Sequence, residues 1–356
     1  MKMVEEKSEH QPVFAAFGNP LLDIIVPDED GALVESFRLQ ADIAQEVDTL
    51  DIGLLDASKT VSGVEYSGGG CALNTVRVYQ WLSGVEHDSM FLGGLGRDHS
   101  GSMLQSLIEK DGVKTNMTLH QDLPTGHCIA LVRGSERTLC ANLGAANKYD
   151  ISDLWNSDRD NVLQNTKVIY VEGYFLTHSF ETSMELALFA QKHKITFVFN
   201  LCGEYVCEDI KYVENVLKLL PFVDILFGNR SEFEVFINTV EAKLETSSSV
   251  IKNLRAMITG LIQQSFEEPK ITFSVEGEGV ENLDMKIENI CESPVRRKPK
   301  SLIVVVTEGC QPVQCYSIGD RLKTISVPVP HLEKSSIKVS ILSNHSNNVD
   351  VDYMVY

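Results

Sequence analysis

An acidic residue interrupts an apolar segment near the start of the chain. Asp23 lies between Leu21 and Ile25, and in a β-strand it shares a face with both of them. A buried carboxylate is costly unless it accepts good hydrogen bonds, and a pair of vicinal hydroxyls would supply them. The alternative is an edge strand that leaves Asp23 in water, with Asn19 either a helper in binding or a turn residue.

Three consecutive glycines, Gly68–Gly70, come directly before a helical pattern, CALNTVRVYQW. Backbone N–H groups at a helix start bind anions, which favours a phosphate cradle, but a tight turn that needs positive φ explains the glycines equally well. Asn74, in the first helical turn, would direct its amide toward whatever the glycines approach. Gly93–Asp98 resembles a catalytic glycine loop, and a turn that enters a helix over 99–111 explains it more simply.

Polar residues follow several apolar strands in the second half of the chain. Asn200 ends ITFVFN, and Thr307 and Gly309 end LIVVVTEG. Ligands of open α/β sheets gather at the carboxyl ends of strands, so Asn229 and Glu232, which follow VDILFG, would address a hydrated Mg²⁺ and phosphates. An Asn with a Glu three residues later is also close to a capping box.

The elements that position these residues alternate regularly. Helices are predicted over 178–193, 204–219, 230–238 and 249–264. Continuous Val/Ile/Phe strands between such helices are typical of a parallel sheet covered on both faces. The segment 114–142 predicts strands only; its Arg137 is a candidate cation for a phosphate, although a surface arginine is the default. Residues 265–301 predict a surface insertion.

Composition excludes several classes of partner. The 356 residues are 43% hydrophobic and 23% charged, which is typical of a globular protein. The net charge of −19 argues against nucleic acid and anionic membranes. No apolar run is long enough to span a bilayer, so we expect a cytoplasmic protein, with RRKPK at 296–300 either a nuclear localisation signal or, more simply, a solvated basic loop.

The eight cysteines lie mostly in apolar segments and predict reduced thiols. The pairs Cys202/Cys207 and Cys310/Cys315 are spaced more widely than the cysteines of zinc knuckles, and no histidine pair accompanies them. The cysteine spacing therefore does not predict a metal site.

In their order, these motifs resemble the ribokinase-like family of sugar and nucleoside kinases, and within it the kinases that act on adenosine. The segments that carry the resemblance are FGNPLLDI (17–24), GGGCALNTVRVYQW (68–81), FLGGLGRDHSG (91–101), PTGHC (124–128), RTLCANLGAAN (137–147), YVEGYFLT (170–177), PFVDILFGNRSE (221–232) and VVVTEG (304–309). The resemblance implies a three-layer α/β/α kinase domain over 13–335, with a mostly parallel central sheet and a small β lid from 24–66 and 113–142.

The resemblance also implies phosphoryl transfer from MgATP to the 5′-hydroxyl of adenosine by a monomer, with adenosine and ATP as the partners. It assigns the ribose to Asn19, Asp23, Gly69, Gly70 and Asn74, and the purine pocket to Leu21, Cys128, Leu139 and Phe175. It assigns the phosphates to Arg137, the Mg²⁺ shell to Asn229 and Glu232, and the ATP side to Asn200, Thr307 and Gly309.

The resemblance breaks after the last of these segments. The family has an Asp-Thr-Asn-Gly-Ala-Gly-Asp segment that supplies the anion hole and the catalytic base, whereas no glycine follows Gly319 here. We therefore expect a C-terminally incomplete fold, exposed apolar faces on strands such as 302–306, and little turnover. The atypical tail 336–356 would come from a splice junction or a gene-model error. The alternatives are a nucleoside-binding protein without catalysis and a related sugar or nucleoside kinase.

Overall fold

The described part of the protein contains two β-sheets with helices packed against them. A computed structural model describes residues 11–42, 44–46, 51–134, 136–156, 162–243, 302–309, 311–318 and 323–327. Within these ranges no helix is both long enough and apolar enough to cross a membrane. The predicted helix 249–264, the insertion 265–301 and the tail 336–356 lie outside them.

The larger sheet has nine strands within the described residues. They are β1 (Phe14–Phe17), β5 (Ser89–Gly96), β6 (Lys114–His120), β9 (Val168–Glu172), β10 (Thr196–Asn200), β11 (Ile225–Asn229), β12 (Leu302–Thr307), β13 (Val313–Ile318) and β14 (Lys323–Val327). Their order is β14-β13-β12-β11-β10-β9-β1-β5-β6. All neighbours from β6 to β12 pair in parallel, while β13 and β14 pair antiparallel at one edge. The predicted mostly parallel central sheet is confirmed.

The smaller sheet has five strands in the part of the chain that the structure describes. They are β2 (Leu21–Pro27), β3 (Ala44–Glu46), β4 (Glu65–Gly69), β7 (His127–Arg133) and β8 (Glu136–Asn142), in the order β3-β8-β7-β2-β4. The small sheet differs from the predicted lid of 24–66 and 113–142 because β2 and β4 extend it to residues 21–23 and 67–69 and because β6 is not part of it. Strand β6 pairs in parallel with β5 instead of joining the small sheet, so residues 114–120 belong to the larger sheet. The helix between β5 and β6 provides the crossover that a parallel pair needs.

The described helices follow the strands in the alternating order that the sequence predicts. They are α1 (Ala32–Ser36), α2 (Asp51–Ser58), α3 (Cys71–Ser83), α4 (His99–Lys110), α5 (Ile151–Asn156), α6 (Gly173–Leu176), α7 (Phe180–His193), α8 (Glu204–Glu208), α9 (Ile210–Leu219) and α10 (Arg230–Lys243). The predicted helix 204–219 is divided into α8 and α9, and Asp209 between them caps α9 by accepting a hydrogen bond from Lys211 N.

The larger sheet has an apolar core on each face. In β1, Ala15 and Phe17 belong to the cluster on one face, and Phe14 and Ala16 belong to the cluster on the other. This division follows from the alternation of side chains along a strand. It explains why β1 has no polar residue.

The apolar strand β12 is not exposed in the way that the sequence predicts. Leu302, Val304 and Val306 are buried and pack in the same cluster as Val240 of α10, while Ile303 on the reverse face is half-buried. Val305 on the reverse face is buried too, so the expectation of exposed apolar faces on this strand is wrong, and of residues 302–306 Ile303 alone is half-buried.

Candidate functional site

The carboxyl group of Asp23 lies against the bare backbone of Gly69. Strands β2 and β4 are antiparallel, with Leu21 opposite Gly69 and Asp23 opposite Ser67. A β-carbon on Gly69 would overlap the Asp23 carboxyl group, so only glycine leaves room for it. Gly68, one residue earlier, faces Leu73 and Leu104 at ordinary contact distances instead. Two adjacent glycines thus serve different faces of the small sheet.

Burial controls the ionisation of Asp23. It raises the pKa of this carboxyl group from 3.8 to about 7, against the opposing field of the Arg77 guanidinium. Arg77 itself donates to the Gly68 carbonyl at 2.7 Å and pairs with Asp111. The ionised Asp23 carboxyl group can accept hydrogen bonds from two hydroxyl donors. The predicted diol contact is therefore chemically suited to this residue.

The register of the small sheet brings three more predicted residues to the Asp23 face. Leu21 precedes Asp23 by two residues, Cys128 lies opposite Asp23 on β7, and Leu139 lies opposite Ala130 on β8. Residues two apart on a strand share a face, as do residues opposite one another. The face is half-buried at all four predicted positions. The apolar side chains of Leu21, Cys128 and Leu139 thus share a face with the Asp23 carboxyl group, and the polar Ser67 lies opposite Asp23 on β4.

Arg137 lies on this same face, but at some distance from Asp23. It precedes Leu139 by two residues, and Ala141 is the β8 residue opposite Cys128. Arg137 lies four residues before Ala141 on β8, which is about 13 Å along the strand. Its Nη1 is buried, and no partner for it lies among the described residues. The guanidinium is therefore available to an anion, but it would have to extend toward the ribose side.

Asn19 carries a buried amide with unsatisfied hydrogen-bonding groups. The side chain is 4% exposed, and neither Oδ1 nor Nδ2 has a partner within the described ranges. Such groups cost free energy unless a ligand completes them. The neighbouring Gly70 has φ 103° and would overlap the Asn19 carbonyl oxygen if it carried a β-carbon. The glycine run thus permits the close approach of α3 to Asn19.

Two predicted binding residues have less support from their positions. Asn74 is exposed on the first turn of α3, where its backbone N–H donates to the Gly70 carbonyl at 2.8 Å. Phe175 is fully buried in α6, with its ring 6.1 Å from that of Tyr149 and 5.8 Å from that of His178. Phe175 is therefore a core residue, and the structure does not bring it to the Asp23 face. The role of Asn74 stays a prediction.

The phosphate-side candidates lie along the carboxyl edge of the larger sheet. Asn200 is opposite Glu172, and Asn229 is opposite Thr307. Asn200 donates from Nδ2 to the Tyr170 hydroxyl at 3.1 Å, and its Oδ1 accepts from Cys202 N at 3.3 Å. Phe227 is the β11 residue opposite Asn200, so the Asn229–Thr307 pair lies two residues, about 7 Å, further along the strands than the Asn200–Glu172 pair.

Asn229 and Glu232 form the capping box at the start of α10. Asn229 Oδ1 accepts from Glu232 N at 2.8 Å, while the Glu232 carboxylate accepts from Asn229 N and Nδ2, both at 2.9 Å. Burial raises the pKa of Glu232; the Asn229 hydrogen bond opposes that shift and nearby Glu204 adds to it. Two adjacent carboxyl groups suit a cation, and because the capping bonds occupy Glu232, a contact through water fits better than direct ligation.

The last two ATP-side candidates follow β12. Thr307 ends the strand, half-buried, and Gly309 has φ 54° with open space where a β-carbon would be. Between them Glu308 accepts a hydrogen bond from Arg230 Nη1 at 2.9 Å. This ion pair joins the ends of β11 and β12. Gly309 itself is exposed.

The glycine loop before α4 is structural, as the simpler interpretation predicts. Asp98 is the N-cap of α4 and accepts from Gly101 N at 2.7 Å. It also accepts from Thr125 N at 2.8 Å and from Thr125 Oγ1 at 2.7 Å. Burial would raise the pKa of Asp98, but these hydrogen bonds outweigh it and lower the pKa. Both oxygens of the Asp98 carboxylate therefore accept hydrogen bonds from within the fold.

One group of chemical interest was missed by the sequence reasoning. Cys71, Glu172 and Cys202 come from three separate segments and meet between the Asn19 side and the Asn200 side of the site. Burial raises the pKa of Glu172 to about 7, although hydrogen bonds from both thiols and from the backbone of Ala72 and Asn19 lower it. The sequence feature that could have indicated this group is Glu172 at the end of the apolar run VIYVE. Cys207, five residues after Cys202 in the sequence, is not a member of the group.

Comparison with protein families decides the relationship of this chain. A model of the pfkB family carbohydrate kinases matches residues 41–264, which is more than half of the chain. The chain belongs to the pfkB family. This result confirms the resemblance found in the sequence and agrees with the α/β architecture described above.

Several curated pfkB-type relatives are adenosine kinases. Adenosine kinase 2 of Arabidopsis thaliana is 30% identical over 229 residues, which are 64% of this chain and 66% of that protein. Adenosine kinase of Dictyostelium discoideum is 32% identical over 215 residues, which are 60% of this chain and 62% of that protein. The chain thus spans slightly less than two thirds of the length of these relatives.

Solved pfkB-like structures extend the match over more of the chain. The Anopheles gambiae adenosine kinase, crystallised with P1,P4-di(adenosine-5) tetraphosphate, has a TM-score of 0.69 and 27% identity, covering 91% of this chain and 85% of that one. The apo adenosine kinase of Trypanosoma brucei brucei has a TM-score of 0.70 at 21% identity, covering 91% of this chain and 86% of that one. The second likeness shows the fold alone.

Proposed function

We propose that this pfkB-family chain is a nucleoside kinase that binds adenosine and transfers a phosphoryl group from MgATP to its 5′-hydroxyl. The observation that carries the proposal is that Leu21, Cys128 and Leu139 place apolar side chains on the same face of the small sheet as the Asp23 carboxyl group. A purine needs an apolar surface, and a ribose diol needs two acceptor sites beside it.

The ribose would lie against backbone rather than against side chains. Asp23 would accept from the two hydroxyl groups, and Gly69 would leave them room beside it. The buried amide of Asn19 would complete its unsatisfied hydrogen bonds with the same sugar. The glycine run would thus serve the ribose, as the resemblance implies, and not hold a phosphate.

The phosphates and Mg²⁺ would lie along the carboxyl edge of the larger sheet. Glu232 and Glu204 supply the negative charge that suits a hydrated Mg²⁺, and the ion would neutralise the charge that develops on the transferred group. Asn200 and Thr307 offer polar groups to ATP, and Gly309 leaves its backbone accessible. We assign the general base to none of the described residues.

A second candidate function is nucleoside binding without catalysis. The features that favour it are the described binding face and the unassigned base, since removal of a general base typically lowers a rate by about 10²–10⁴-fold. The two candidates share the adenosine site and differ only in turnover. A sugar kinase is disfavoured by the apolar side chains around Asp23. Monomeric state and a cytoplasmic location, without nucleic acid or membrane partners, complete the proposal.

Ligand and protein variants together test the adenosine site. Calorimetry with the full chain should show adenosine binding more tightly than 2′,3′-dideoxyadenosine by about 100-fold or more, because a site built for hydroxyl groups rejects ligands that lack them. Asp23→Asn should remove most of that preference for adenosine over 2′,3′-dideoxyadenosine. Equal affinities of the wild type for the two nucleosides, or tighter binding of ribose than of adenosine, would contradict the proposed substrate.

Turnover needs its own measurement. ADP and AMP formation from MgATP and adenosine should be followed with the same preparation, with a kinase-free blank to exclude contaminants. Formation of AMP that disappears in Asp23→Asn supports the kinase. Tight binding with no AMP supports the non-catalytic protein instead.

A further inference from the structure

Three ligand-type side chains meet beside the candidate site. Cys71 begins α3, Glu172 ends β9 and Cys202 follows β10, and their ligand atoms all lie within 4.8 Å of one another. The two Sγ atoms are 3.4 Å apart, and Cys202 Sγ lies 3.6 Å from Glu172 Oε2. Glu172 is 1% exposed and Cys202 2%, whereas Cys71 is half-buried and gives the cluster an opening. We name these three residues the thiol–carboxyl cluster.

We propose that the thiol–carboxyl cluster binds Zn²⁺ through both sulfur atoms and one oxygen of Glu172. Tetrahedral zinc with Zn–S of about 2.3 Å and Zn–O of about 2.1 Å separates two sulfurs by ~3.8 Å and a sulfur from an oxygen by ~3.6 Å. The measured separations of 3.4 Å and 3.6 Å are close to these values. A disulfide instead requires sulfurs about 2.05 Å apart.

The donor set selects the metal. Two thiolates with one carboxylate favour Zn²⁺ over Mg²⁺ and Ca²⁺, which prefer oxygen ligands. Three protein ligands leave the fourth tetrahedral position for a water on the open side, next to Cys71. The site is thus chemically distinct from the Mg²⁺ position proposed near Glu232. On binding, Zn²⁺ releases the two thiol protons, together with any proton on the Glu172 carboxyl group, into solvent.

The surroundings orient the ligands. Backbone N–H groups of Ala72 and Asn19 donate to the Glu172 carboxylate, which fixes its plane. Cys202 has φ 66°, a left-handed conformation that is uncommon for a residue with a β-carbon. This strained backbone directs its thiol toward Glu172, and its N–H donates to Asn200 Oδ1. Such held geometry is expected at a ligand position.

Metal binding would couple three elements of the candidate site. Cys71 directly follows Gly70, and Cys202 follows Asn200 by two residues. An ion on all three ligands would therefore tie the start of α3 to the ends of β9 and β10. Because the three ligands meet in the folded chain, metal binding should raise the melting temperature as the metal concentration increases. The inference does not depend on the substrate that the site accepts.

Cobalt provides a spectroscopic test in the absence of nucleotide. The full chain, reduced and freed of metal with a chelator, is titrated with Co²⁺ and then with Zn²⁺. We expect one equivalent of Co²⁺ to give thiolate charge-transfer absorption and tetrahedral d–d bands, and Zn²⁺ to bleach both. Cys71→Ser and Cys202→Ser should lose more than ~100-fold in affinity, since even second-shell changes cost about 10–100-fold.

Matched variants separate ligation from folding. Cys315→Ser, on the distant strand β13, should bind metal like the wild type. Cys202→Gly permits the left-handed backbone without strain, so a folded Cys202→Gly chain that binds no cobalt identifies the thiol as a ligand. A wild-type chain without thiolate–cobalt absorption, or an equal loss in Cys315→Ser, overturns the proposal. A Cys71–Cys202 disulfide formed in place of metal binding overturns it as well.

Discussion

The backbone of Gly69 fills the space beside the Asp23 carboxyl group so closely that a β-carbon there would overlap it. Gly68, its neighbour on the opposite face, has ordinary contacts only. These adjacent glycines provide a matched pair of alanine substitutions, one directed at the proposed diol site and one directed at the core.

Gly69→Ala should displace the Asp23 carboxyl group and weaken adenosine binding. Hydrogen bonds to a charged group contribute about 1.5–3 kcal/mol, so the dissociation constant should rise by about 10–100-fold. Calorimetry with adenosine measures this change. Gly68→Ala is the control and should bind within about threefold of the wild type. If both variants lost binding equally, the effect would come from the strand rather than from the carboxyl group.

Adenosine affinity should depend on pH through Asp23. Its pKa is about 7 in the unliganded fold, and the diol binds the ionised form. The affinity should therefore fall as the pH decreases below 7, by as much as about tenfold per pH unit. Glu172 titrates in the same range, because burial raises its pKa to about 7 as well.

The Asp23→Asn variant separates these two groups. It should bind adenosine weakly with a flat pH profile between 5 and 8. Unfolding provides a second measurement: the wild type should lose stability as the pH rises from 4 to 7, because folded Asp23 retains a proton that the unfolded chain has released. At pH 8, Asp23→Asn should be more stable than the wild type by about 1–3 kcal/mol, reduced from the full shift because the carboxyl group is only half-buried.

Asn19→Leu should change stability and binding in opposite directions. The buried amide has no hydrogen-bond partner among the described residues, so an apolar side chain of similar size should stabilise the unliganded fold by about 1 kcal/mol. The same change should weaken adenosine binding by roughly tenfold, because it removes a group for the sugar. Thermal unfolding with and without adenosine checks both effects. A destabilised variant would indicate that the amide already has a structural partner.

Glu232 variants distinguish its capping role from its proposed role near Mg²⁺. Glu232→Ala removes both hydrogen bonds to Asn229 and should cost about 1–2 kcal/mol of stability. Glu232→Gln retains an acceptor for Asn229 N, so its stability loss should be smaller, about 0.5–1 kcal/mol. If the carboxylate addresses Mg²⁺, both variants should need at least ~10-fold more Mg²⁺ for turnover or nucleotide binding. A Gln variant with unchanged Mg²⁺ dependence would leave capping as the sole role.

Much of the site could be predicted because its residues lie at the ends of strongly patterned strands. Asn200 ends an apolar run and Asn229 follows another, and the carboxyl ends of parallel strands share one edge. The face shared by Asp23, Cys128 and Leu139 was harder to predict, because it depends on the register between strands more than a hundred residues apart. The family resemblance predicted that Asp23, Cys128 and Leu139 act together, whereas the alternation of residues within each strand could not predict it.

Other features could not be predicted from local pattern. Lys114–His120 reads as part of a strand-only unit, yet it pairs with β5 because α4 returns the chain to the larger sheet. Asn229 and Glu232 are compatible with either capping or metal binding, and the structure shows the capping bonds. Phe175 lies in a conspicuous motif but is buried by Tyr149.

The sequence by itself determined the alternation of strands and helices, the strand on which Asp23 lies and the glycines that approach it, because these follow from side-chain periodicity and backbone freedom. Only the tertiary structure decided that Cys71, Glu172 and Cys202 meet. Each comes from a different segment, and their proximity results from the order and register of β9, β10 and α3. Strand order is set by packing across the whole sheet, which no local spacing of residues encodes.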